Sequence, residues 1–326
     1  MQITQGLYTP DEVSAMILAG DNLLLAGDAK LLEKMPQGNW IGGGTPFFIQ
    51  YPLNRTTSFD KIFVNKMPNF ATNIEIKEYD ENTIKNIFID GPQNGFTVLI
   101  MPYLSSIAIE YSLYSTNYKN FAVHPVCGWI SGQPLEKILI EKSYVASGIN
   151  KGIYSNKGVA MHISLPVNKY AEIHIFNPYK QGNGDSVTFE ESSLMVKDAL
   201  INGKSRNFAE YLREIDYDML MPLVANYSGA MINNVICAID GKEVPMSAPV
   251  FKQIEYKLAV LDENIVEPSL INEKIVFSIT CIGNFLQPQI CEHYLKQMNG
   301  PVVFGEIAYQ QLAQTTVYVT VDDSKF

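Results

Sequence analysis

Apolar positions along this chain fall mostly at period two or in short continuous blocks, and only a few stretches carry helical spacing. Ile62 to Asn65 and Ile74 to Tyr79 alternate apolar with polar side chains, as half-buried strands do. Phe96 to Met101 is continuously apolar and reads as a buried strand. Further strands are predicted over Asn22 to Ala26, Phe121 to Ile130, Val159 to Leu165, Ala171 to Phe176, Val187 to Phe189 and Leu194 to Val196. Three more follow over Pro222 to Asn226, Met231 to Ile239 and Val250 to Val260, with Asp240-Gly241 as a turn signal. Helices announce themselves by their caps. Thr9-Pro10-Asp11-Glu12 combines a capping hydroxyl, a proline suited to the first turn and the glutamate of a capping box, so a helix should run to about Leu18 and stop at Gly20. Asp28 caps Ala29 to Met35, and Pro36 with Gly38 ends it. Asp80 to Ile87, Pro102 to Tyr114 and Asn207 to Ile215 are the other early helices.

Near the C-terminus the pattern becomes denser. A strand (Ile275 to Thr280), a turn (Cys281-Ile282-Gly283-Asn284) and a helix (Pro288 to Met298) precede a second strand (Pro301 to Phe304) that ends on Gly305-Glu306-Ile307. Thr315 to Val321 closes the unit. An echo lies at the other end of the chain. With Leu32 and Met35 set against Leu295 and Met298, Gly42 falls on Gly305, and both copies read helix, turn, apolar strand, glycine. Asn39 to Ile49 itself reads as a strand interrupted by three glycines. Strands mixed with separated helices, without strict alternation, predict an α+β fold of mixed, largely antiparallel sheets with helices packed on them. The echo predicts two pseudo-repeated halves, 1–180 and 181–326, divided at the polar, glycine-rich stretch Asn177 to Ser186.

Composition narrows the function classes. The 326 residues are 47% hydrophobic, enough for a large core, and the formal net charge of -10 argues against nucleic acid and against anionic lipid surfaces. No apolar run has the roughly 20 residues that span a bilayer, so membrane insertion is not expected. The N-terminal residues lack the pattern of a secretory signal, and the four cysteines form no C-x-x-C pair. Reduced thiols in a cytoplasmic protein are the expectation. No G-x-S-x-G, H-E-x-x-H or Walker sequence is present, and Gly42-Gly43-Gly44-Thr45 lacks the lysine of a phosphate loop.

Several patches resemble the FIST family, a sensory domain with an N-part and a C-part. Leu200-Ile201-Asn202-Gly203-Lys204 with the helix carrying Tyr211-Leu212 is similar to its "inG" turn and helix. Phe277 to Gly283 is similar to its "F-S-C-x-G" strand end, and Gly300 to Ile307 to its "pv-G-f-x-GEI" ending. Trp40 to Thr45 resembles the N-part segment "iGcsTaGei" more loosely. Asn284 departs from the family, which often has arginine there, and a neutral amide cannot clamp a carboxylate as a guanidinium does.

The resemblance implies a non-catalytic cytoplasmic sensor that binds a small, amino-acid-like molecule and passes its state to a separate signalling partner. Candidate ligand-binding residues are Gly42, Gly43, Thr45, Asn226, Tyr227, Cys281, Asn284 and Glu306. Gly42 and Gly43 would allow close backbone approach, Asn226-Tyr227-Ser228 would offer amide, phenol and hydroxyl groups, and Glu306 would hold an ammonium or hydroxyl. No resident cofactor or metal is expected. The alternatives are a haem-binding gas sensor using one of four histidines, a self-assembling structural protein, and an enzyme with Cys281 or Cys127 as nucleophile.

Overall fold

Three times along the chain a strand, a helix and a parallel strand are followed by a hairpin and a return strand. The computed structural model describes residues 5–324 apart from 53, 139, 228, 240 and 266–273. In the first repeat Leu23–Gly27 and Trp40–Gly44 form the parallel pair, Phe47–Gln50 with Asn54–Thr57 the hairpin, and Ile62–Lys66 the return. The second repeat uses Gly95–Pro102 and Val126–Ser131, the hairpin Val145–Ser147 with Gly152–Tyr154, and the return Gly158–Ser164. The third uses Ile275–Cys281 and Gly300–Val303, the hairpin Glu306–Ala308 with Gln310–Leu312, and the return Thr316–Asp323. A leading strand pairs antiparallel with each return strand: Gln5–Tyr8, Asn73–Tyr79 and Lys169–Phe176 respectively. The class is α+β, with mixed and antiparallel sheets.

The hairpins do not stay at home. The first repeat's hairpin joins the third repeat's sheet, the second's joins the first's, and the third's joins the second's. Three six-stranded sheets of identical order result. Their registers superpose. Gly42 lies between Leu25 and Ala146, and Gly128 lies between Leu99 and Ile307. Gly300 takes the same place beside Ile49 in the third sheet. At each of these glycines a Cβ would press on a carbonyl oxygen of the parallel neighbour: Leu25 at 3.0 Å, Leu99 at 1.9 Å and Ser278 at 2.3 Å. One position per repeat thus has no room for a side chain. Gly128 also has φ of +139°, which only glycine adopts readily.

Both faces of the sheets are covered. Leu24, Ile41, Val98, Trp129, Ile279 and Val317, drawn from all three sheets, meet in one apolar core. Each sheet's other face packs its own helices: Val13, Ile17 and Leu32 in the first repeat, Ile107 and Tyr111 in the second, Ile290, Cys291 and Leu295 in the third. Burial of such side chains supplies roughly 1.5–3 kcal/mol each, which is what holds hairpins of three or four residues on distant sheets. Between its leading strand and Ile275 the third repeat carries an insertion. That insertion has a separate core of Val187, Phe189, Phe208, Leu212, Leu223 and Val244, built on Val187–Thr188, Leu223–Tyr227, Tyr256–Leu261 and the helix Phe208–Glu214.

Several expectations change. The internal repetition is threefold, and the residue equivalent to Gly42 is Gly300 rather than Gly305, because the parallel register and not the helix spacing sets the alignment. A boundary at residue 180 marks the start of the insertion but does not separate two sheets, since Lys169–Phe176 pairs with Thr316–Asp323 and Phe47–Gln50 with Gly300–Val303. The turn over Cys281–Asn284 is a helix start, Ile282–Leu286. The single strand predicted over Val250 to Val260 is two, Val244–Val250 and Tyr256–Leu261. Ser228 and Asp240 lie outside the described residues.

Candidate functional site

Cys281, Asn284 and Glu306 come together where the third parallel pair ends. Cys281 ends the first strand of that pair and holds the position before the short helix Ile282–Leu286, without a capping hydrogen bond from its side chain. Glu306 opens the third hairpin on the neighbouring sheet, opposite Trp129, and is fully buried. One carboxyl oxygen, Oε1, accepts from the Thr315 backbone N–H at 2.6 Å and from the Thr315 hydroxyl at 2.9 Å. Oε2 has no aligned partner, although the Cys281 thiol interacts with the same carboxyl. Burial pushes the Glu306 carboxyl up to about 7, against the opposing pull of the Thr315 hydrogen bonds. Burial, then the nearby carboxylate, pushes the Cys281 thiol well above its ordinary range. Asn284 is also fully buried, its amide reaching the Thr280 hydroxyl at 3.4 Å. The insertion seals this corner. Gln287 and Gln314 both donate to the Tyr179 hydroxyl and to the Leu220 carbonyl, and Asn233 donates to the Gln314 carbonyl. This cluster is a closed polar knot.

The other expected residues divide. Gly42 and Gly43 are packed strand positions; a Cβ at Gly43 would lie 2.6 Å from Trp129 Nε1. The Thr45 hydroxyl donates to the Val302 carbonyl at 2.6 Å, tying the first repeat to the third. Asn226 accepts from the Gly229 N–H at 2.7 Å and so closes its own turn. Tyr227 lines an open cavity between the insertion and the body.

That cavity, of about 590 Å³, lies between the inserted subdomain and the body. Its body side is the end of the helix Ser106–Tyr114 and the third hairpin, through Ser112, Gln310 and Gln311. Its other side is inserted: Tyr227, Ala230, Ile232, Pro249, Phe251 and Tyr256 form most of the apolar lining. Asn233 and Asn234 sit at its base with their amides committed, Asn233 to Asn177 and the Gln314 carbonyl, Asn234 to both backbone groups of Ala248. The free hydrogen-bonding groups gather at the bend that divides the two inserted strands. There the Lys252 N–H donates to Ser192 Oγ and the Phe251 N–H to Tyr256 Oη, and the Tyr256 and Tyr227 hydroxyls interact. The size and mixed lining are those of a small-molecule site, and a junction between substructures is where such sites occur.

A family model described as "Family of unknown function (DUF6976)" matches residues 8–322. The chain belongs to this family. No curated protein matches the chain. The DUF6976 match spans all three repeats and the insertion, so the cavity and the Glu306 knot both lie within it.

Two histidines and the other three cysteines of this DUF6976 chain are held by bonding or burial. His162 bonds Tyr79 through Nε2 at 3.0 Å and Thr97 through Nδ1 at 2.8 Å, and burial lowers its pKa to about 4. His174 Nε2 bonds the Thr320 hydroxyl at 2.9 Å. Burial raises the Cys127 and Cys237 thiols, and raises Cys291 to about 11, so each is held as the unreactive thiol. Among the described residues no three His, Cys, Asp or Glu side chains gather as a metal site, and no helix is long and apolar enough to cross a membrane. Sequence reading missed Lys252, Ser192, Phe251 and Tyr256. Their one signal is the polar Lys252-Gln253 break inside an otherwise apolar run.

Proposed function

We propose that this chain is a non-catalytic small-ligand-binding protein whose site is the cavity between the insertion and the three-repeat body. The observation that carries the reading is the chemistry of the lining: apolar walls, hydroxyls and amides, one exposed lysine, and no described cysteine, histidine or carboxylate. Such a surface can hold a molecule in place, and among the described lining residues no histidine or carboxylate stands beside the Ser192, Tyr227 or Tyr256 hydroxyls to activate them as nucleophiles. The site joins two separate cores, so a ligand touching both would bias how the insertion sits on the body. That is the property a sensor of the FIST type requires, and the sequence resemblance favours the same use: a cytoplasmic protein reporting occupancy to a separate partner. A thermal-shift screen of small metabolites tests the reading. A ligand at 100 times its Kd should add about 2.7 kcal/mol of stability, and the gain should vanish in Ala230→Trp, which fills the cavity from an exposed position. A screen in which every stabilising compound acts equally on the variant contradicts it.

A further inference from the structure

The uncommitted groups at the Phe251–Lys252 bend are all able to donate, and this sets the ligand's chemistry. Ser192 Oγ accepts from the Lys252 N–H at 3.1 Å, so its own proton is free. Tyr256 Oη accepts from the Phe251 N–H at 2.9 Å and interacts with the Tyr227 hydroxyl, which lines the cavity and can donate to a ligand. Lys252 is the one charged side chain among the described lining residues, exposed at the rim and without a partner there. Three donors, one of them cationic, therefore cluster around the Phe251–Lys252 bend. The Asn233 and Asn234 oxygens receive the Asn177 amide and the Ala248 N–H, and the acceptors that remain in the lining, the Ser112 hydroxyl, which donates to Ile109, and the Gln310 and Gln311 carboxamides, are all neutral. In a chain of net charge -10 a carboxylate-free cavity with a lysine at its mouth is the local exception. Ala230, Ile232, Pro249 and Ile254 add apolar side chains to the same lining.

We infer that the site takes a compact monoanion with an apolar body, an aryl- or branched-alkyl carboxylate, and that it discriminates against zwitterions. The inference rests on the cavity being a ligand site. A carboxylate finds the Lys252 ammonium and the Ser192 and Tyr227 hydroxyls, each a charge-assisted hydrogen bond when made. The ammonium of an α-amino acid finds no described carboxylate, only neutral amide and hydroxyl oxygens, so its charge stays uncompensated away from water, which is costly. An amino-acid-like ligand would therefore bind through its acid end and bring its amine at a loss.

The test is calorimetric titration of the whole chain with three probes that share one ring and chain: 3-phenylpropionate, L-phenylalanine and 3-phenylpropan-1-ol. The expected result is 3-phenylpropionate binding about tenfold more tightly than either of the others, weakening as salt is raised. Lys252→Gln, at an exposed position, should bring the propionate down to the alcohol. Ala230→Trp, checked for an unchanged far-ultraviolet spectrum, should abolish binding of all three. Should no probe bind at about 10 mM, or should binding survive Ala230→Trp, the cavity is not the ligand site and both readings fall. Should Ala230→Trp block binding while the alcohol or phenylalanine equals the propionate, the site stands and the anion assignment is overturned.

Discussion

Glu306 is the residue at which chemistry and fold conflict most directly. Its carboxyl is fully buried, holds one oxygen on Thr315 and leaves the other without an aligned partner. A folded pKa of about 7 exceeds the ordinary carboxylate value, so between those two values the folded state binds the proton that the unfolded chain has released. The associated stability is complete below about pH 4.5 and is lost as pH rises through 7, on the order of 3 kcal/mol in total. Glu306→Gln should consequently match the native protein at pH 4.5 and exceed its stability at pH 8 by roughly that amount, read from urea midpoints. A variant equally destabilised at both pH values would show that the carboxylate itself is required. The sequence marked Glu306, Cys281 and Asn284 because strand ends and helix starts are legible from glycines and apolar runs. It could not show that they are sealed, because the seal is made by Tyr179 and Leu220 of the insertion, far away in the chain.

Elements were legible where they are long or capped. Thr9 and Glu12 form the expected capping box, and Asp28 and Asn207 cap as their residue types require. The hairpins were not legible. Val145–Ser147, Gly152–Tyr154 and Glu306–Ala308 are three residues each, too short for a period-two signal, and they find partners on another repeat's sheet. The repeat glycines escaped for a related reason: Gly42, Gly128 and Gly300 become equivalent only through strand register. Their role yields a paired test. Gly128→Ala places a Cβ 1.9 Å from the Leu99 carbonyl oxygen at a φ of +139° and should cost more than about 3 kcal/mol in denaturant unfolding. Gly203→Ala, also at positive φ but with nothing within 4 Å of the new Cβ, should cost about 1 kcal/mol. Equal costs would mean that conformation alone, and not close backbone approach, reserves Gly128.

At the scale of the whole molecule the α+β class followed from the pattern, while the threefold exchange of hairpins did not. That exchange places the Gln310–Leu312 strand of the third repeat beside the second repeat's helix, and the insertion in the third repeat then roofs the space between them. The cavity is thus a product of topology: its walls come from residues 112, 116, 192, 227, 230–234, 248–256 and 310–311, which no local motif joins. The central claim is that this space holds a ligand. Amide chemical-shift mapping of the whole chain with 3-phenylpropionate tests it most directly. The account predicts saturable shifts centred on Tyr227, Ala230 to Asn234, Phe251 to Tyr256 and Gln310-Gln311, with residues around Asp28 and Lys137 on the far surface unmoved. Shifts that centre elsewhere, or none at saturating probe, would contradict it.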